Sequence, residues 1–452
     1  MSIAGCGDDD VRRARDAGTD ARTDAGAPWD AGEEPDARMA PDGGDADAGG
    51  AFDAGPEPTG VIGPVPGEAT ILQIDLPTGL IPKLGEAAAL VGPDGTLVLM
   101  DVGNDNHDDD VRAVVEDLNT RWITRAHGFP RDRGAREVDW IVVSHYHADH
   151  VGGLEPLLTG GSAVTVTQGI VHRGFTDLGP AVSEPDVELA CDLLRGTLGT
   201  LDIPLCAGAS EAPCTSSAWT GTYPASQCDA LRHGNLADPL DDTTGTPAYI
   251  DLGDGARMTF IGANAHVSDG AAIHAMTPFG VADTNEENAR SVIAIVSYAR
   301  FRYHWGGDLT GSGDAGEPDV ESHLAAAAGD AWYGALGMDV VHAHHHMRQT
   351  SSNPTFVLLT APSDGRSRNV VGGINGAYLG SPYASVLAAW GDGGRLGAGR
   401  MWITDAAAGG ATHVALVDSG ATVIVQTLAH GRGYRVQAAR ATPESRAFAT
   451  VR

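Results

Sequence analysis

Four side chains able to bind a metal, His145, His147, Asp149 and His150, fall within six residues of the segment Val-Ser-His-Tyr-His-Ala-Asp-His-Val-Gly-Gly-Leu, residues 143–154. Imidazole nitrogens and carboxylate oxygens suit Zn²⁺ and Mn²⁺. No cysteine stands among them, so the pattern differs from the closed, thiolate-rich sites that hold structural zinc. Divalent ions in such a site lower the pKa of a bridging water towards neutrality and polarise a carbonyl or phosphoryl centre, which is the chemistry of hydrolysis. A His-rich surface loop is the alternative, and the surrounding pattern argues against it.

That surrounding pattern is a strand running into a helix. Residues 138–143 are rich in β-branched residues around Trp140, as in a buried strand. In extended backbone alternate side chains share a face, which lets His145 and His147 address one ion together. As the chain turns into a helix, Asp149 and His150 project from its first turn, and Gly152-Gly153 permits close backbone approach. This spacing suits two metals.

The His-x-His-x-Asp-His pattern resembles the signature of the metallo-β-lactamase superfamily. The resemblance implies an α/β fold, a four-layered αβ/βα sandwich with its metals at one edge. It also implies that His145, His147 and His150 serve neighbouring metals and that Asp149 binds the second. Asp101-Val-Gly103 is similar to the superfamily's Asp-x-Gly step, where the carboxylate supports a metal-binding His by hydrogen bonding. His172, ending the alternating run 164–171, stands where a further ligand of the first metal would come from, with an ordinary surface His as the equal alternative. Asp308, after the strand-like run 301–305, is expected to bridge the two ions, since adjacent cations repel and need a shared carboxylate. Among His344, His345 and His346, after the run 338–343, His345 is the favoured ligand, with His344 next and in a supporting role.

A closer resemblance, over about residues 68–437, is to the soluble hydrolase domain of ComEC-type competence proteins. It is carried by Asn288-Ala-Arg-Ser291, Gly307-Asp308-Leu309, Glu321, the His cluster, Thr350-Ser351-Ser352, the step from Asn375 through Tyr378 to Pro382, and Thr404-Asp405. Two positions depart from that family: Ser381 replaces its His, and Met347-Arg348 replaces its Gly-Ser. Both border the site there, so Ser381 and Arg348 are candidate contacts for an anionic substrate. The resemblance implies a phosphodiester substrate, with Asp149 orienting the nucleophile and shuttling its proton. Small esters, amides or lactams form the second expectation. A tethered surface protein that binds metal or ligand without catalysis is the reading of another class.

The remainder of the chain sets the context. Residues 1–60 are dominated by Asp, Ala, Gly and Pro and lack the apolar content to offset chain entropy, so they read as a disordered tether. Ile3-Ala-Gly-Cys6 looks like a bacterial lipobox without its preceding apolar region, which makes Cys6 the candidate lipidated residue and a lipid anchor the only expected membrane contact. Residues 61–440 read as one hydrolase domain, with 441–452 as a C-terminal tail. Within it, 176–246 reads as an insertion holding Cys191, Cys206, Cys214 and Cys228. Their spacing lacks Cys-x-x-Cys pairs and favours two disulfides of open connectivity, which points to export into the periplasm or to the outer surface. That insertion is placed to act as a lid or as surface decoration. The net charge is −31 and Lys83 is the sole lysine, so no broad basic track for nucleic acid is evident beyond a local group of Arg121, Arg125, Arg131, Arg133 and Arg136.

Overall fold

The computed structural model describes residues 58 and 60–450, apart from 78–82, 176–181, 183, 207–213, 216–224, 238–245, 277–286, 312–317, 365, 376, 392–394 and 441–443. Residues 1–57 of the expected tether, Cys6 among them, lie outside the described residues.

The first half of the chain supplies β1 (Thr70–Gln73), β2 (Ala87–Val91), β3 (Leu97–Val102), β4 (Glu137–Val142), β5 (Thr165–His172) and β6 (Asp202–Pro204). Helices α1 (Asp108–Asp117), α2 (Ala148–Val151), α3 (Leu154–Leu158) and α4 (Glu184–Arg195) are set between them. A second group follows: β7 (His233–Asn235), β8 (Thr246–Asp251), β9 (Arg257–Ala263), β10 (His266–Ser268), β11 (Ile273–Ala275), β12 (Ile293–Tyr298) and β13 (Phe301–Trp305). Next come α5 (Val320–Trp332), β14 (Val340–His342), α6 (Pro354–Thr360), β15 (Asn369–Gly372), α7 (Ala384–Gly391), β16 (Met401–Ile403) and β17 (Leu416–Asp418). The chain closes with β18 (Val423–Leu428), β19 (Gly433–Ala438) and β20 (Ser445–Ala449).

Among the described residues these strands form two sheets. One has the order β20-β19-β18-β1-β2-β3-β4-β5-β6, so the last strands of the chain return to pair with the first. The other runs β11-β10-β9-β12-β13-β14-β15-β16-β17, with β8 also on β9 and β7 on β8. Three apolar clusters fill three interfaces, as four layers require. Ile71, Leu90, Met100 and Trp140 meet Phe260, Tyr303, Trp305 and Trp402 between the sheets. Val111, Val115, Leu157 and Leu194 seal helices onto the first sheet, and Leu324, Phe356, Leu387 and Trp390 do so on the second. This is the α/β sandwich expected from the sequence.

Strand alternation explains most of the sorting. In β3, Val98 and Met100 face the other sheet while Leu97 and Leu99 face helices. In β4 a register shift between Val138 and Trp140 breaks the alternation, so Val138 and Ile141 both face helices. The candidate insertion carries two interleaved disulfides, Cys191–Cys214 and Cys206–Cys228, and its α4 packs on α2 and α3. Residues 445–449, expected in a tail, instead form the edge strand β20 on β19.

Beyond β1, Asp75 is pushed from 3.8 to about 6, first by burial and then by the carboxylates of Asp405, Asp110 and Asp418. Because the folded state binds this proton more tightly than the unfolded chain does, stability falls as pH rises from about 4 to about 6. Asp75→Asn is therefore expected to raise the denaturation midpoint above pH 6 and to change it little below pH 4, as urea melts at the two pH values would show.

Candidate metal centre

Strands β3, β4 and β5 run parallel, as do β13 through β17, so chemistry placed just past their C-terminal ends gathers at common edges. Asp101 lies at the end of β3, Ser144–His150 follow β4, Asp308 follows β13 and His344–His346 follow β14. Past β4, His147 has extended backbone and α2 begins at Ala148, which puts Asp149 in its first turn.

His145 Nε2 and His147 Nδ1 stand 3.1 Å apart, and His145 Nε2 is 4.0 Å from Asp308 Oδ2. A second convergence is tighter. His150 Nε2 lies 3.3 Å from His346 Nε2, 3.3 Å from Asp308 Oδ2 and 3.8 Å from Asp149 Oδ2. His346 Nε2 lies 3.1 Å from Asp308 Oδ2 and 3.5 Å from Asp149 Oδ2. A tetrahedron with metal–ligand bonds of about 2.0–2.1 Å has edges of roughly 3.3 Å, and these five separations of 3.1–3.8 Å lie close to that. Glu86, His150, Asp308 and His346 also form a group able to offer one ligand atom each within 4.8 Å. Glu86 reaches this group through the rear of His346, its Oε2 being 2.9 Å from Nδ1.

The rings are keyed from behind. His150 Nδ1 donates to Asp101 Oδ2 at 2.8 Å, while Asp101 also accepts from the Ser144 backbone N–H and hydroxyl. His346 Nδ1 donates to Gly373 O at 3.0 Å. With Nδ1 occupied from behind in both rings, each Nε2 is the nitrogen turned towards the centre. Tyr378 donates from its hydroxyl to Asp149 Oδ2 at 2.9 Å and stacks on His346 with ring centres 3.7 Å apart. Asp308 Oδ1 and His147 Nε2 are buried with no hydrogen-bond partner among the described residues. Orphaned donor atoms of this kind fit a cation.

Charge follows the same geometry. Burial opposes a charged imidazole at His150, yet Asp308, Asp149 and Asp101 outweigh it and raise its pKa well above the ordinary value. His346 is raised likewise, burial being outweighed by Asp308 and Glu86. Burial pushes Asp308 up, but His346 and His150 hold it well below the carboxylate range. Glu86, raised by burial, is brought down to about 2 by His342 and His346. Burial and the neighbouring His150 push His145 well below the ordinary imidazole value.

The structure distributes the expected residues unevenly. His145, His147, Asp149, His150 and Asp308 come together, with Asp101 behind His150. His345 does not present the converging nitrogen: its Nδ1 meets the Thr350 hydroxyl at 2.7 Å and its Nε2 accepts from Asn288. His346 takes that place, because His345, His346 and Met347 all have positive φ and wind a left-handed turn. Such backbone costs about 1–2 kcal/mol per residue and persists where its surroundings over-determine it. His344 anchors the turn from outside the cluster, its Nδ1 on Glu321 and its Nε2 on His304. His172 is also displaced: Nε2 bonds Asp202 at 2.5 Å and Nδ1 the Tyr146 hydroxyl at 2.7 Å, so neither nitrogen addresses the cluster. Ser381 is fully buried and Arg348 exposed. Of the Arg group, Arg131 and Arg133 pair with Asp139 near the opposite, N-terminal end of β4, and Arg136 pairs with Glu116 of α1. Glu86 is absent from the expected site residues, Tyr378 stands there only within a family-like step, and His346 only as one of three adjacent histidines of which His345 is favoured. A pointer to Tyr378 was its place in the Asn375–Pro382 step, whereas nothing in the local sequence marks Glu86.

Residues 82–208 match the family model described as the metallo-beta-lactamase superfamily. No curated protein matches the chain. Among solved structures it is similar to Zn²⁺-bound PqqB from Methylobacterium extorquens, at 11% identity over 61% of this chain and 71% of that one, with a TM-score of 0.28. A protein from Parabacteroides distasonis described as a metal-dependent hydrolase is 12% identical over 74% of this chain and 92% of that one, TM-score 0.32. A metallo-beta-lactamase from Hirschia baltica is 11% identical over 59% and 83%, TM-score 0.24. Likenesses this slight carry no weight for function.

Proposed function

Because this chain has the metallo-β-lactamase fold, we propose that it is a metal-dependent hydrolase, with two divalent ions held by His145, His147, Asp149, His150, Asp308 and His346. The observation that carries this reading is the near-tetrahedral spacing of four donor atoms whose two imidazoles are keyed by Asp101 and Gly373 to face inward. When bound, such ions lower the pKa of a water and polarise the bond to be cut. Imidazole-rich ligation favours Zn²⁺, with Mn²⁺ a workable substitute. Asp149, steadied by the Tyr378 hydroxyl, is the group placed to orient the nucleophile and accept its proton.

The ComEC-like segments support a phosphodiester as the bond cut. Pairing of Arg131, Arg133 and Arg136 with carboxylates disfavours long nucleic acid and favours small substrates. The same observation supports the second reading, a hydrolase of small esters, amides or lactams. Two disulfides support an exported protein. Among the described residues no helix is long and apolar enough to cross a membrane, and anchoring at Cys6 is the proposed membrane contact.

The test is turnover of bis-p-nitrophenyl phosphate, p-nitrophenyl acetate and nitrocefin by the zinc- and manganese-loaded chain. Phosphodiester turnover that EDTA abolishes and metal restores is expected. Hydrolysis of only the ester or the lactam selects the second reading, and bound metal without turnover of any probe selects the non-catalytic binding protein.

A further inference from the structure

We infer that the two halves of this metal centre are unequal: one ion binds tightly among Asp149, His150, Asp308 and His346, and a second binds weakly at His145 and His147. The inference rests on the metal-dependent reading above and deepens it. The tight half has four donor atoms with five measured separations of 3.1–3.8 Å. The weak half has two imidazoles and a share of Asp308, whose Oδ2 is nearer to His150 and His346 than to His145.

A third imidazole for the weak half is expected from His172, and its surroundings withhold it. The Gly174 backbone N–H, which can only donate, points at His172 Nδ1 at 3.1 Å, and the Tyr146 hydroxyl adds a second bond there. Nδ1 is therefore the acceptor, and Nε2 carries the proton that it donates to Asp202 Oδ1. Neither nitrogen has a lone pair to offer an ion. Phe175, 4.6 Å away between ring centres, and complete burial hold the ring in place. Asp202 comes from β6, which pairs beside β5 at His172 and Pro204, so the candidate insertion itself supplies the group that occupies His172. His345, the other nearby imidazole, has its accepting nitrogen taken by Asn288.

Chelator-stripped full-length protein titrated with Zn²⁺ alone, by calorimetry with bound zinc counted by mass spectrometry, decides the matter. The expected result is one equivalent bound first and a second weaker by about tenfold or more. His145→Ala should keep the first equivalent and lose the second, and His346→Ala should lose the tight one. Folded His172→Gln, judged by circular dichroism, should bind zinc as the unaltered chain does. Two equivalents of equal affinity overturn the inference and leave the hydrolase reading standing, as does loss of zinc from folded His172→Gln. Failure to bind any zinc overturns both. The unaltered chain alone is decisive should a variant not fold.

Discussion

Asp308→Ala is expected to strip zinc from both halves of the site and to lower kcat/KM by about a thousandfold or more. Asp308 Oδ2 lies 3.3 Å from His150 Nε2, 3.1 Å from His346 Nε2 and 4.0 Å from His145 Nε2, so one carboxylate serves rings from both sheets. Its removal also leaves two imidazoles without the anion that most raises their pKa. Zinc content and steady-state kinetics on the same preparation check the prediction. Asp308→Asn, which keeps the shape and loses the charge, should lie close to the alanine variant. Activity and zinc content near those of the unaltered chain would remove Asp308 from the centre.

Glu287→Ala is expected to destabilise the fold by about 3–5 kcal/mol, the cost of breaking a buried ion pair from one side. Glu287 accepts from Arg173 through both oxygens at 2.7 Å, and both side chains are fully buried. The pair joins the end of β5 in one sheet to the approach to β12 in the other. Glu287 Oε1 also accepts from the Tyr146 backbone N–H at 2.9 Å, between the two histidines of the His145–His147 pair. Loss of the carboxylate thus leaves a buried guanidinium over the Tyr146 ring, 4.4 Å away, and frees the backbone that aims the two imidazoles. Urea denaturation measures the first effect. Zinc titration of the folded variant should show the His145–His147 half weakened more than the other.

Local features of the sequence made the motif legible. His145, His147, Asp149 and His150 depend on one strand end and one helical turn, and strand alternation with a trailing Gly-Gly is enough to predict their company. Asp101 and Asp308 were legible for a related reason, each closing a β-branched or aromatic run. What stayed hidden depends on backbone or partners from far along the chain. His346 displaces His345 because three successive residues wind left-handed, a conformation that no periodicity of side chains announces. Glu86 lies in the approach to β2 and meets His346 only once the two sheets pack. His172 was placed correctly at a strand end, but Asp202, arriving on the edge strand β6, diverts it. Disulfide pairing was open for the same reason, since spacing fixes the number of bridges and only the fold chooses among three connectivities. β20 resembled a tail because in Ser-Arg-Ala-Phe-Ala only Phe448 is buried.

The Arg group shows how neutralisation changes a reading of charge. From composition, five arginines near the motif strand form a potential anion patch; in the fold Arg133 has a nearly buried side chain, pairs with Asp139 at 2.6 Å, and is spent on structure. Arg131 and Arg136 are likewise engaged, with Asp139 and Glu116.

Anomalous diffraction at the zinc edge from crystals of the zinc-loaded chain locates the ion. The strongest peak is expected about 2.0–2.2 Å from His150 Nε2, His346 Nε2 and the near oxygens of Asp149 and Asp308. A folded, zinc-soaked chain with no peak among those four residues, or with its strongest peak elsewhere, would contradict that placement.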